Sequence, residues 1–348
     1  MLVTRLATVT ALVRADSGTI EALAVADTQT DPRRIVAYPA LTGPLAVGDR
    51  VRLNTTATAL GLGTGGVDFV VAVEGGGDAT WGEPDGTEHI VKLRYTPLQH
   101  AVRIAAPPTD AARTLDGAQV VVCGLHSQVA AVAAGFRAAR PESRIALVHT
   151  DAAALPIAFS HLVPALKDAG LLDTTLTAGQ AFGGDYECVG VPAALVSARH
   201  TARAELIVVA QGPGNAGTGT ALGFSGLEQC WWLDLAGALG GEAIAVLRLS
   251  TADPRPRHRG LSHHSATALS LTARRARVAM PRGFPELAAQ VAASPLAKRH
   301  TVIEADGAPG LALLAARGVR VTSMGRTVDQ DPAFFHAASA AGALAAVE

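Results

Sequence analysis

Residues 118–150, AQVVVCGLHSQVAAVAAGFRAARPESRIALVHT, hold the pattern that decides the fold. Two short apolar runs rich in β-branched residues, AQVVVC and RIALVH, enclose a longer stretch whose apolar residues recur at helical spacing. A strand buried on both faces reads as a continuous apolar run, and a helix lying on a sheet reads as an amphipathic one. The segment therefore predicts a β–α–β unit, with the helix over 127–139.

The same alternation continues downstream. TTLTA (174–178), ELIVVA (205–210), AIAVLRL (243–249) and VRVTS (319–323) read as further strands, and 155–170, 192–202, 226–239 and 286–293 as helices. Repeated strand–helix units predict a doubly wound, mostly parallel Rossmann-like sheet covered on both faces over 118–348. The pattern leaves strand order open.

Upstream the rhythm changes. Residues 3–13, 19–26, 33–38, 49–54 and 67–73 read as short strands separated by turn signals such as Asp16-Ser17-Gly18 and Val47-Gly48-Asp49. Five strands in so short a span predict a small SH3-like or OB-like β-barrel over 1–75. Barrels of this kind often bind nucleic acid through aromatics interleaved with basic residues, but Tyr38 and Phe69 are the aromatics of this segment, so a structural or dimerising barrel is favoured. Leu60–Gly66 is glycine-rich and reads as a tight turn or bulge. Residues 74–88, EGGGDATWGEPDGTE, read as a linker, and 89–95 as a strand, within a connecting region at 76–117.

Composition sets the outer bounds. The hydrophobic share is 49% against 17% charged residues, which argues for a well-buried core and against disorder. A formal net charge of -1 supplies no global attraction to nucleic acid or to an anionic membrane. Cys123, Cys188 and Cys230 are too scattered for a disulfide framework and read as buried reduced thiols. Arg5 and Arg14 break the opening apolar run, no stretch is long and apolar enough for a membrane span, and the cytoplasm is the default compartment.

The unusual residues follow the strands. Gly124-Leu125-His126-Ser127, Thr150-Asp151, Gly179–Asp185, Gln211–Thr220, Asp253–His264 and Met324-Gly325-Arg326 each come after a predicted strand. In an open parallel sheet such loops leave from one edge, where ligands bind. Ser and Asp in strand-to-helix loops serve as helix caps without further role, which accounts for Ser127 and Asp151 but not for a concentration of His and Arg.

Gly212-Pro213-Gly214-Asn215-Ala216-Gly217 matches GxGxxG after a strand. Its helix begins only near Ser225, and the next strand ends in Arg248 and Ser250 where a ribose-binding acid belongs, so a Rossmann dinucleotide site is disfavoured. A looser anion-binding loop formed by Gly212, Gly214, Asn215, Gly217 and Thr218 is favoured. Arg255, Arg257, His258, Arg259, His263 and His264 crowd into residues 253–264, a basic loop suited to phosphate or carboxylate, with Arg as clamp and His as acid or base. His126, Asp185, His263 and His264 are the candidate catalytic residues.

A metal is the alternative use of these histidines. Neighbouring His263 and His264 do not usually reach one ion together, so a metal site would recruit His126, Asp151, Asp185 or Asp253. The sequence names neither a metal nor a cofactor.

The segments LNTTATALGLGTGG (53–66), HIVKLRYTPLQ (89–99), GLHSQ (124–128), TDAAALPIAFS (150–160), GQAFGGDYE (179–187), GPGNAGTGTALGFSG (212–226), ADPRPRHRGLSHHS (252–265), SMGR (323–326) and DPAFF (331–335) resemble a bacterial family known as domain of unknown function 3866. The resemblance spans nearly the whole chain and implies no established activity, cofactor or catalytic residue. Where its members tend to carry Gly, this chain has Ala at 152 or 153.

The expectation is an enzyme that binds a small anionic molecule, phosphorylated or nucleotide-like, at the carboxyl edge of its sheet. A non-catalytic ligand-sensing or regulatory protein is the alternative. Nucleic acid and membrane partners are disfavoured, and a homo-oligomer is left open.

Overall fold

A computed structural model describes residues 1–16, 18–62, 66–75, 89–104 and 112–347. Residues 76–88 of the expected linker at 74–88 and part of the glycine run, 63–65, lie outside the described residues. The chain forms two compact units, Met1–Arg103 and Ile104–Glu348.

The first unit contains a closed barrel of β1 (Thr4–Ala15), β2 (Ile20–Ala26), β3 (Pro32–Ala37), β4 (Arg50–Asn54) and β5 (Val67–Val73), in the order β1-β2-β3-β5-β4. One-turn helices α1 (Pro39–Thr42) and α2 (Thr56–Ala59) join its strands. Closure leaves no strand edge unpaired, and alternate residues such as Ala22, Ala24, Val51 and Leu53 fill the interior. On its surface Arg14, Arg34, Arg50 and Arg52 are ion-paired with Asp16, Glu21, Asp27 and Glu74, and Arg33 reaches the buried Asp68. A hairpin of β6 (His89–Lys92) and β7 (His100–Arg103) completes the unit.

The second unit is a three-layer α/β/α domain. Its sheet contains β8 (Gln119–Val122), β9 (Ile145–Thr150), β10 (Thr174–Thr177), β11 (Tyr186–Glu187), β12 (Leu206–Gln211) and β13 (Glu242–Ala245). A ribbon of β14 (Leu249–Ser250) and β15 (Gly260–Leu261) follows, and β16 (Arg277–Pro281) and β17 (Thr301–Ala305) finish the sheet. All eight sheet strands run parallel, in the order β11-β10-β9-β12-β8-β13-β16-β17.

Successive side chains divide between the faces, as the two-residue period of a strand requires. Val121, Leu147 and Val208 pack into one core with α3 (Val129–Ala139), α4 (Leu162–Asp168), α10 (Ala308–Ala316) and α11 (Pro332–Ala345). Val120, Val148 and Val209 pack into the other with α5 (Val191–His200), α6 (Gln229–Ala238), α7 (His263–Leu271), α8 (Pro285–Ala293) and α9 (Leu296–Arg299). Helices α3 and α11 meet backbone to backbone: a Cβ on Gly135 would lie 2.0 Å from the Ser339 carbonyl oxygen, and one on Gly342 would lie 1.9 Å from that of Val132. Cys123, Cys188 and Cys230 are buried free thiols.

The topology fixes where a ligand belongs. From β8 the chain leaves over the α3 face toward β9, and later it passes from β12 to β13 over the α6 face, stepping across β8. The carboxyl ends of β12, β8 and β13 therefore border the point where the direction of winding reverses, and open α/β sheets keep a crevice there.

Several expected elements differ. VRVTS is not a strand: Ser323 makes only an isolated bridge to Arg326. The last sheet positions go instead to RVAMP and TVIEA. The expected helix at 155–170 resolves into a 3-10 turn, Ile157–Phe159, and the shorter α4, because Pro156 and Ser160 interrupt it. The basic segment is not one open loop. It contains a 3-10 turn at Pro256–His258, then β15, and its last histidines already belong to α7.

Candidate functional site

A narrow cleft lies at the winding reversal. Gly124 and Leu125 after β8, Phe224, Gly226 and Gln229 after β12, and Val246 and Arg248 after β13 line it, with His264 and Ser265 of α7. Polar side chains knit its floor together. Gln211 Nε2 donates to the Gly124 carbonyl at 3.2 Å and to Asn215 Oδ1 at 3.0 Å. Asn215 Oδ1 also accepts from Ser225 Oγ and from the Gly226 amide. Gln229 Nε2 donates to the carbonyls of Val122 and Val246, tying β8 to the chain leaving β13.

One wall is strongly basic. Arg248 is 6% exposed, and its guanidinium reaches Asp253 Oδ2 at 3.3 Å and His264 Nδ1 at 3.3 Å. Asp253 is fully buried and binds Arg255 through both carboxylate oxygens, at 2.9 and 2.8 Å. Arg326 joins the same carboxylate at 3.3 Å and continues to Asp331 at 3.1 Å. Asp331 in turn accepts from Ser250 Oγ at 2.6 Å. Arg259 donates to the Asp253 backbone carbonyl, and Arg257 Nε reaches His258 Nε2.

The charges do not balance. Arg248, Arg255 and Arg326 share the two carboxylates of Asp253 and Asp331, and the exposed Arg257 and Arg259 add their charge through contacts with the His258 ring and the Asp253 backbone carbonyl. The hydrogen bonds from Arg255 hold the Asp253 carboxyl well below the usual carboxylate range. Burial, with Arg255 beside it, lowers Arg248 to about 10. Burial and then Arg248 push His258 to about 4 and His264 to about 3, and burial and Arg257 lower His263 as well. These rings are neutral at physiological pH.

The three histidines converge. His258 and His264 have ring centroids 4.7 Å apart, His258 and His263 4.9 Å, and His263 and His264 4.4 Å. Neighbouring side chains do not usually reach one point together, but His263 and His264, which open α7, both bring a ring nitrogen to within 4.8 Å of one on His258, with Phe224 stacked on His264 at 3.8 Å.

Other candidates stand elsewhere. His126 is buried behind the cleft, with Nδ1 on the Gln211 carbonyl at 3.1 Å and Nε2 accepting from Ser160 Oγ at 2.6 Å. Burial lowers it to about 3. Asp185 works at a different place: it bridges Lys167 of α4, at 2.6 and 2.7 Å, and the amide and hydroxyl of Thr175 at the start of β10. Although burial opposes its charge, those partners hold its carboxyl below the usual range.

The glycine loop folds on itself rather than forming an open nest. Thr218 N donates to the Gly223 carbonyl, Ala216 N to Ser225 Oγ, and Gly217 bridges to Phe224. Gly212 is needed for packing, since a Cβ there would lie 2.3 Å from the Ala154 carbonyl oxygen. Gly214 has φ +94 and open space around it, and the Thr218 hydroxyl pairs with that of Thr220.

The sequence reading gave no site role to Arg248 or Asp331 and took Arg326 only as part of an edge loop; Glu228, next to the cleft residue Gln229, was not singled out. An arginine inside the apolar run AIAVLRL and the acid of DPAFF were the available signals. Glu228 is 4% exposed, hydrogen-bonded by Thr150 Oγ1 at 2.5 Å, and burial raises its carboxyl to about 7.

Fold and cleft together define an α/β protein of Rossmann-like architecture carrying an N-terminal five-stranded barrel. The chain belongs to the family described as Protein of unknown function (DUF3866), which matches residues 34–342. No curated protein and no solved structure matches it. Among the described residues no helix is long and apolar enough to cross a membrane.

Proposed function

We propose that this chain is an enzyme acting on a small anionic molecule, phosphorylated or nucleotide-like, held in the cleft at the winding reversal. The observation that carries the reading is the surplus of guanidinium groups over carboxylates around a buried Arg248 that lines the cleft. Buried charge without full compensation is costly, and an anionic ligand offsets that cost with charge-assisted hydrogen bonds. Arg248 faces the bound charge, and Arg257, on the outer side of the cluster, extends the field. His264, beside Arg248, lines the same cleft and helps shape the seat for the ligand.

Thermal-shift and calorimetric titration with inorganic phosphate, pyrophosphate, nucleoside monophosphates and sugar phosphates tests it, followed by mass spectrometry of any ligand that binds. Expected are stabilisation by at least one anion, weakening with added salt, and at least a tenfold loss of affinity in Arg248→Gln or Arg257→Gln. Flat responses with and without divalent metal overturn the reading. Tight binding with the ligand recovered unchanged turns the protein into a ligand sensor.

A further inference from the structure

His258, His263 and His264 each offer a ring nitrogen, and these atoms all lie within 4.8 Å of one another. We propose that these three imidazoles form a site for one divalent transition-metal ion of the zinc type, with a further coordination position on the cleft side that His264 lines. The proposal goes beyond the anion reading and stands without it.

The geometry is close to what the ion needs. Zinc takes imidazole nitrogen at roughly 2.0–2.1 Å in tetrahedral array, so three ligands sit roughly 3.4 Å apart. Small side-chain rotations bring nitrogens within 4.8 Å into that range. One ligand atom lacks any other explanation: His263 Nε2 is buried and has no hydrogen-bond partner among the described residues. A buried polar atom left in that state costs free energy, and a bound ion removes the cost.

The supporting contacts are of the kind that orient metal ligands. Ser262, fully buried, lies with its Oγ 2.8 Å from His258 Nδ1, which directs Nε2 of that ring toward the cluster. The same hydroxyl accepts from the His264 amide as the N-cap of α7. One serine thus sets both the His258 ring and the helical turn that carries the other two. Packing alone explains the stack of His264 on Phe224 but not three convergent rings.

The arginines oppose a cation. Arg248 Nη1 at 3.3 Å from His264 Nδ1 and Arg257 Nε at 3.4 Å from His258 Nε2 are long contacts that yield as the metal enters. Their charge lowers metal affinity, and an anion bound beside them restores it. By linkage, the metal raises anion affinity by the same factor.

The test uses the full chain, stripped by a chelator and titrated with Co²⁺ and Zn²⁺ by calorimetry and visible absorption. Expected are one equivalent bound, an intense visible Co²⁺ band, and affinity at least tenfold lower in each of His258→Ala, His263→Ala and His264→Ala. Ser262→Ala weakens binding by about 10- to 100-fold, and Ser262→Thr restores it. His89→Ala, in the barrel unit, changes nothing. Should the alanine variants misfold, diethylpyrocarbonate labelling of the unmutated chain gives the answer: Zn²⁺ slows labelling of the partly exposed His263 and His264 and leaves the exposed His89 reactive. Absence of stoichiometric binding, binding that survives all three substitutions, or no protection on labelling overturns the site. Phosphate titrated in excess chelator keeps the two ideas apart. Binding there sustains the anion reading whatever the metal does, while metal binding indifferent to phosphate, with no anion bound, removes the anion reading alone.

Discussion

The carboxylate of Asp253 lies 3.3 Å from the guanidinium of Arg248, with the acid fully buried and the base 6% exposed. The pair does not stand alone, because Arg255 takes both carboxylate oxygens and Arg326 joins Arg248 on Oδ2. A single carboxylate thus holds three guanidinium groups, one of which, Arg248, lines the cleft.

Asp253→Asn keeps the shape and removes that charge. Breaking a buried charge pair from one side costs about 3–5 kcal/mol, since the partners stay buried without compensation. Urea denaturation should show a loss of that size in the second unit. A loss below about 1 kcal/mol contradicts the hub role.

Glu228 makes stability depend on pH. Its carboxyl rises from 4.5 to about 7 in the folded chain, so between those values the native state holds more protons than the unfolded state. Stability therefore falls as pH climbs from about 4.5 to 7, by about 3 kcal/mol in all, and levels off above. Glu228→Gln should flatten that part of the profile. Melts across this pH window, comparing the two proteins, give the answer.

Two glycines of one loop separate packing from conformation. A Cβ on Gly212 meets the Ala154 carbonyl oxygen at 2.3 Å and the His149 ring at 2.9 Å, whereas one on Gly214 meets nothing but sits at φ +94. Gly212→Ala should cost about 1–3 kcal/mol through overpacking and disturb the cleft floor. Gly214→Ala should cost about 1–2 kcal/mol from the left-handed backbone alone, leaving ligand affinity intact. Paired melts and phosphate titrations distinguish the two.

Gln229 bridges β8 and the chain after β13 through the Val122 and Val246 carbonyls. Gln229→Leu strips a donor from both, at a cost of about 1–3 kcal/mol. Amide exchange of Val246, which donates to Val122, should quicken with it. Unchanged exchange would show that the ladder holds without the bridge.

The architecture was legible where burial leaves a one-dimensional trace. β8, β9 and β12 sit between two helical layers, so their apolar runs are continuous and readable. β16 escaped because charged residues lead into RVAMP and a proline ends it, and β17 because its edge position leaves it partly exposed. α11, PAFFHAASAAGALA, is buried nearly all round, which erases the amphipathic stripe that would mark it.

The site was legible in composition but not in pairing. The concentration of Arg and His in 253–264 marks the basic wall, and Arg255, His258, His263 and His264 do meet there. Nothing local shows that Asp253 gathers Arg326 from far downstream, or that Asp185 serves Lys167 and Thr175 instead. Such partnerships are made by loop positions in three dimensions, and chain spacing carries no record of them.

The link from Asp253 through Arg326 to Asp331, the residue that leads into α11, sets an order of events for a chain made from its amino terminus. The basic wall can be translated in full and still lack its keystone, because the last helix has yet to emerge and dock through Gly135 and Gly342. Until then Arg248 and Arg255 share Asp253 alone, and Arg326 lacks its second carboxylate, Asp331. Completion of the charge network behind the cleft thereby waits on the docking of α11.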